Sequence, residues 1–186
     1  NPMTTTANAL GLTPGVWNID PVHSAVTFSV RHMMVSKVRG SFKQFSGQIT
    51  VGEAIEDSKV TASIVASSVD TGNEQRDGHL RSADFFNTES AETFEFVSKS
   101  VSAKGDDWVV AGDLTVNGVT KPVDLAVEFT GVGPDGQGGQ KAGFEATTTL
   151  DRKDYGIEFN MPLEGGGVVI GDKITVTLDV EADLAK

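Results

Sequence analysis

Apolar and polar residues alternate along most of this chain with a period of two. From Val22 to Val35 the even positions carry Val22, Ser24, Val26, Phe28, Val30, His32 and Met34, while Thr27, Ser29 and Arg31 stand on the odd ones. That alternation predicts a strand with one buried face. A run of about fourteen extended residues spans on the order of 45 Å, and the next run, residues 38–51, is nearly as long. Two such strands joined at Ser36-Lys37 make a hairpin too tall for a small sandwich and suited to an elongated barrel.

The same period returns along the rest of the chain. Val60, Ala62, Ile64 and Ala66 mark a third strand over residues 59–67. Residues 93–104 and 107–117 form a hairpin across Gly105-Asp106, and Asn117-Gly118 is the strongest turn signal present. Val123, Leu125, Val127 and Phe129 follow, then a glycine-rich loop over residues 131–143, then Phe144, Ala146, Thr148 and Leu150. Gly165-Gly166-Gly167 reads as a turn, since no helix follows it to cradle a phosphate. Ile174, Val176, Leu178, Val180, Ala182 and Leu184 close the chain in clean alternation.

One segment breaks the pattern. Thr71-Gly72-Asn73-Glu74 fits a capping box opening a short helix, with Arg76, His79, Leu80 and Ala83 on the face toward the barrel and Phe85-Phe86 as its anchors. The fold expected is all-β: an extended eight-stranded antiparallel up-and-down barrel with one short helix, spanning residues 15–186 as one domain after a mobile tail over residues 1–14. Such a barrel is just wide enough to fill with side chains or to hold one small ligand. Gly40, Ala62, Gly112 and Ala146 sit among Phe28, Phe42, Phe96 and Phe144 on the apolar faces, where small residues either leave a cavity or let large neighbours interlock.

Charge and composition narrow the partners. The formal net charge of −11 opposes binding to nucleic acid and to anionic membranes, and Lys and Arg are scattered rather than clustered. No cysteine is present, which excludes disulfides, thiolate metal sites and a cysteine nucleophile. Asn1-Pro2 reads as a scar ahead of Met3, residues 4–13 lack a signal-peptide pattern, and no run approaches the length of a membrane span. A soluble, cytoplasmic protein without stable membrane insertion is expected.

The three histidines, His23, His32 and His79, share no metal-ligand spacing, so neither a metal nor a cofactor is expected. Asp20, His23 and Ser24 contain the residue types of a hydrolase triad, but Ser24 falls in a regular strand rather than at a strained elbow. No catalysis is expected; an enzyme acting on an isoprenoid or other lipid would have to rest on these His, Asp and Ser residues. Asp151-Arg152-Lys153-Asp154-Tyr155 is a polar cluster at a strand end, either a solvated turn or a rim that positions a polar head.

Trp17-Asn18-Ile19-Asp20 with His23-Ser24, Val38-Arg39-Gly40-Ser41-Phe42 with Phe45-Ser46-Gly47, the run Arg76 to Phe86, Gly112 to Val123, and Arg152 to Ile157 together resemble the YceI-like, polyisoprenoid-binding proteins. Asn87-Thr88 and Glu92-Thr93 depart from that family's usual residues after the Phe-Phe pair. The resemblance implies a lipocalin-like barrel whose apolar channel holds an isoprenoid chain, such as a polyprenyl phosphate or a quinone tail. On that reading Phe28, Val30, Phe42, Phe96, Leu114, Phe129 and Phe144 build the walls. The head then lies near His32, Arg76, Arg81 or Arg152, a charged head needing an arginine. Alternatively the barrel is dry and serves as a structural or interaction module, with a homodimer as the partner to expect.

Overall fold

Alternating runs pair edge to edge until the sheet meets itself. The structure, a computed structural model, describes residues 6–32, 36–82, 85–86, 88–89, 91–157 and 170–185. Strands β1 (Gly15–Ile19), β2 (Ala25–His32), β3 (Ser36–Phe42), β4 (Phe45–Val51), β5 (Lys59–Val65), β6 (Val69–Asp70), β7 (Thr93–Lys104), β8 (Asp107–Val116), β9 (Val119–Pro134), β10 (Gln140–Asp151) and β11 (Ile170–Leu184) form one antiparallel sheet. β11 pairs with β10 on one edge and, on the other, with β2 over its first part and β1 over its last. The ring therefore closes in the order β1-β4-β5-β7-β8-β9-β10-β11. β2, β3 and β6 prolong β1, β4 and β5 toward one end, here the upper end, so the barrel is eight antiparallel strands, three of them broken at mid-height.

The breaks correct the first predicted hairpin. β2 starts at Ala25, and Val22, assigned to the buried face, is 82% exposed. Pro21 has no N–H to give a ladder, so the chain turns there instead of pairing. Ser36 and Lys37 belong to β3, opposite His32 and Arg31. Residues 33–35, between the two strands, lie outside the described residues. The second run breaks at Lys43-Gln44, whose backbone bonds Ser68 and Val65 rather than a neighbouring ladder.

Upper and lower apolar clusters result. Trp17, Val51, Val101 and Trp108 belong to the lower one; Phe42, Phe86, Phe94 and Tyr155 belong to the upper one. Residues 6–14, expected as a mobile tail, are packed: Ala7 and Leu12 are buried around a 3-10 turn at Asn8–Leu10. The predicted loop over residues 131–143 is mostly strand, because β9 runs to Pro134 and β10 begins at Gln140. Glycine backbones ladder as well as any other, and Gly131 faces Gly143. Only Asp135 to Gly139 remain as the turn, with Asp135 Oδ1 accepting the N–H of Gln137 and Gly139. Asn117 (φ 54°) and Gly118 (φ 74°) take the left-handed pair that the Asn-Gly signal predicted. Gly165-Gly166-Gly167 lies outside the described residues.

Helix α1 (Glu74–Arg81) starts later than the capping-box reading. Asn73 is its N-cap, its Oδ1 accepting the Arg76 N–H at 3.0 Å. Thr71 instead donates its N–H and hydroxyl to Asp77 Oδ1, and Asp77 is buried. Arg81 donates to the Ser67 and Val69 carbonyls. Among the described residues β6 has no pairing with β7, and Phe86 packs there against Phe42 and Phe94 at centroid distances of 5.8 and 5.1 Å. Phe85 and Phe86 are thus the expected anchors, both buried. Leu80 is half-buried, and Ala83 lies outside the described residues.

The break between β1 and β2 is tied across strands by charge. Lys141 Nζ of β10 lies 2.9 Å from Asp20 Oδ2, 3.4 Å from Glu181 Oε2 and 3.2 Å from Asp183 Oδ1. His23 Nδ1 is 2.6 Å from Asp20 Oδ2. His23 and then Lys141 hold the Asp20 carboxyl well below the usual carboxylate range, and Asp20 in turn holds the Lys141 ammonium above its ordinary value.

Two outcomes follow from these contacts. Lys141→Met should lower stability at pH 7 by about 1 kcal/mol in urea unfolding. Asp20 has a depressed folded pKa, so its share is complete above about pH 4 and fades as pH falls further; Lys141 has a raised one, so its share is complete below about pH 10 and fades above. The difference between the two proteins should therefore be flat from about pH 5 to 9 and shrink in acid. Leu80→Asp should undock α1 and raise amide exchange over residues 74–82 well above that of the strands; unchanged exchange would mean that Leu80 does not hold the helix.

Candidate functional site

Protein interiors rarely leave voids larger than a water molecule. Here the space enclosed by the ring is a cavity of about 670 Å³, within the range of small-molecule sites. It runs from Leu10 and Leu12 at the lower end to Val30 and Ile174 at the upper end. Period-2 alternation is the cause of its apolar character: every second residue of each strand points inward. Ala62 and Ala146 line this space, whereas Gly40 and Gly112 do not open it. A Cβ on Gly40 would lie 2.6 Å from the Phe28 ring, and one on Gly112 would lie 2.7 Å from the Phe96 ring, so at both places a large neighbour already covers the glycine. The girth of eight strands leaves room for such a space.

Phe28, Val30, Phe42, Phe96, Leu114, Phe129 and Phe144 all line the cavity, as the alternation places them. Phe129 and Phe144 pack edge to face at 5.4 Å across β9 and β10. The His32 side chain lies outside the described residues; its backbone ends β2, opposite Ser36 and Ile170. Sequence reasoning did not name Ile174, Val176, Leu178 and Val180 of β11 as wall, although their alternation was legible. Leu10 and Leu12 carried no usable signal, standing in a Thr/Ala/Asn-rich stretch without periodicity.

Polar lining concentrates at the upper end. Arg76 borders the cavity from α1, but its Nε and Nη2 donate to Thr71 Oγ1 (2.7 Å) and Thr71 O (2.9 Å), fastening the helix to β6. Arg152 also borders the cavity, from the 3-10 turn Arg152–Tyr155, and is only 2% exposed. It donates from Nε to Gly171 O and from Nη1 to Ile157 O, both at 3.0 Å, and its Nη2 is 3.7 Å from Asp172 Oδ1. The solvated-turn reading of this stretch is therefore wrong for Arg152 and Tyr155, which pack inward. Burial pushes the Arg152 guanidinium down from its ordinary pKa, while Asp172 and Asp151 oppose that shift. Burial, helped by Asp154, pushes the Tyr155 phenol up. Asp151 caps the turn, and the Lys153 N–H, with Lys173 behind it, holds its carboxyl below the usual range.

The residues considered for catalysis stand at the β1–β2 break. Ser24 Oγ accepts the Glu181 N–H and donates to the Glu181 carbonyl, so its hydroxyl joins strands rather than meeting His23. The topology does bring Asp20, His23 and Glu181 together, with ligand atoms within 4.8 Å, a grouping that no sequence spacing announced. Lys141 Nζ already places a positive charge on both carboxylates.

Known proteins share both the sequence and this architecture. A UPF0312 protein of Staphylococcus epidermidis is 43% identical over 168 residues, covering 89% of this chain and 95% of its own. A UPF0312 protein of Staphylococcus aureus is 41% identical over 174 residues, covering 91% and 98%. Among solved structures, the Campylobacter jejuni YceI protein is 28% identical with a TM-score of 0.71, over 84% of this chain and 90% of that one. Burkholderia cenocepacia BcnA shares the fold at 20% identity (TM-score 0.75; 88% and 98% covered). A polyisoprenoid binding domain from Saccharophagus degradans, implicated in plant cell wall breakdown, shares it at 16% identity (TM-score 0.70; 91% and 98% covered). The profile of the YceI-like domain matches residues 17–182, and with the staphylococcal identities this establishes that the chain belongs to the YceI-like domain family.

Proposed function

We propose that this protein binds one long isoprenoid or similar lipid chain inside the barrel, without catalysis, and acts as its carrier or store. The observation that carries the reading is the length and apolar lining of the 670 Å³ cavity. A structural barrel would gain dispersion contacts by filling that space, and a water cluster would find few polar partners there. Enclosing ten methylene equivalents at about 0.8 kcal/mol each offers roughly 8 kcal/mol, enough for useful affinity after the costs of ordering a chain. The Saccharophagus polyisoprenoid binding domain, alike in fold, supports the same ligand class.

The tail lies along Phe28, Phe96, Leu114 and Phe144, and the head stays at the upper end, near water and near Arg76 and His79. An unpaired polar head in the lower half would cost several kcal/mol. The −11 net charge makes a neutral quinone-type head as suitable as a phosphate.

Protein purified from cells should release lipid on solvent extraction and show it by native mass spectrometry. Leu114→Trp, which places an indole at mid-cavity, should weaken binding of a labelled prenyl chain at least tenfold, about 1.4 kcal/mol, while the circular dichroism spectrum is kept. Absence of lipid from repeated preparations, together with no binding of the labelled chain, would remove the carrier reading. Arg76→Ala should weaken a prenyl phosphate about fivefold to tenfold and leave a quinone of equal tail unchanged. Equal retention of both by the variant would place the head elsewhere.

A further inference from the structure

The lower mouth of the barrel is crossed by the chain's own N-terminal segment. At one side Thr6 bridges Ala54, and the Ala7 N–H donates to Glu53 O at 2.8 Å, in the connection between β4 and β5. At the other side Gly11 lies against Val132 of β9, and Thr13 Oγ1 donates to Gln140 Oε1 of β10 at 3.1 Å. In the ring β1-β4-β5-β7-β8-β9-β10-β11 the β4/β5 and β9/β10 pairs are diametrically opposite. Residues 6–13 therefore form a strap that crosses the opening from one side to the other. A backbone bond from the Leu12 N–H to Ala7 O and a bond from the Trp17 indole Nε1 to Thr13 O, both at 2.9 Å, stiffen it.

Leu10 and Leu12 project from this strap into the cavity, where they form its floor. Ala7 and Trp17 are fully buried and Leu12 is 3% exposed, so the strap packs tightly against the lower cluster. The upper end, by contrast, is bordered by Asn73, Arg76 and His79, exposed on their outer sides. Among the described residues, the cavity is bordered by polar side chains at its upper end and by apolar ones at its lower end.

We propose that the N-terminal strap is a ruler: Leu10 and Leu12 stop the far end of the bound tail and so determine the longest chain the protein accepts. The inference rests on the reading of the cavity as a prenyl-chain site and adds a direction and a limit to it. A chain entering head-last from the upper mouth gains apolar contact with each added isoprene unit until its end meets the floor. Beyond that length each further unit must buckle the tail or push the head into solvent, and affinity stops rising.

The test is a binding series of prenyl alcohols of increasing isoprene number, so that the head is constant. The full chain and three variants are compared: Leu10→Ala, Leu10→Trp and Leu12→Ala. Leu10 is half-buried, so its substitutions leave the fold least disturbed, and thermal unfolding checks this for each variant. In the native protein affinity should climb to a limiting length and then level or fall. Leu10→Trp should move the limit down by at least one isoprene unit, and the two alanine variants should move it up by about as much. A limit that stays in place in folded variants of both directions would overturn the ruler and leave the carrier reading standing, as would native affinity that climbs without limit. No binding at any length by the native protein would end both.

Discussion

Closure through β11 is the constraint on which the rest of this structure depends. Its fifteen residues hydrogen-bond to β10 on one side and to β2 and then β1 on the other, so no long strand of the ring is left as an open edge. An open sheet of this length would present a row of unpaired N–H and C=O groups. Once closed, the sheet has only two faces, and the period of two sends every apolar stripe inward. The outward face carries Thr175, Thr177, Asp179 and Glu181 on β11 itself, which is how a chain of net charge −11 encloses an apolar interior.

The ring is not symmetrical along its axis. Three neighbouring strands break at mid-height, at residues 20–24, 43–44 and 66–68, and above the breaks β6 is not paired with β7 among the described residues. Phe86 packs there, and α1 is fastened beside it by Asp77, Arg76 and Arg81 rather than by a broad apolar face. Charged side chains that hydrogen-bond nearby backbone make a polar upper rim around an apolar bore. Below the breaks the ladder β1-β4-β5-β7 is continuous, and the strap at residues 6–13 crosses that end. One interrupted pairing and one terminal crossing thus make the two ends of the enclosed space different.

Small residues also let the interior interlock. Gly40 and Gly112 seat the rings of Phe28 and Phe96, an interlocking that fixes how the aromatic side chains lie against the wall. The void lies between such packed walls because eight strands enclose more width than these side chains span.

The strands, their inward faces and the Asn117-Gly118 turn were legible in the sequence because alternation and turn chemistry are local properties of the backbone. The seven apolar wall residues named from alternation do line the cavity, and the family was legible from its motifs. The strand breaks, the register at Ser36 and Lys37, and the strand character of the glycine-rich residues 131–134 and 140–143 were not, because pairing partners far along the chain decide them. The same holds for Arg152, whose burial depends on Gly171, Ile157 and Asp172, and for the Asp20–Lys141 contact, which spans 121 residues. Leu10 and Leu12 show the limit most clearly. Their own surroundings in sequence are those of a loose tail, and only the closed ring presents an opening for them to cover. The sequence by itself determined which side chains face inward, since that follows from the period of the backbone. The tertiary structure alone decided where the enclosed space begins and ends, since that depends on contacts between residues with no local relation to one another.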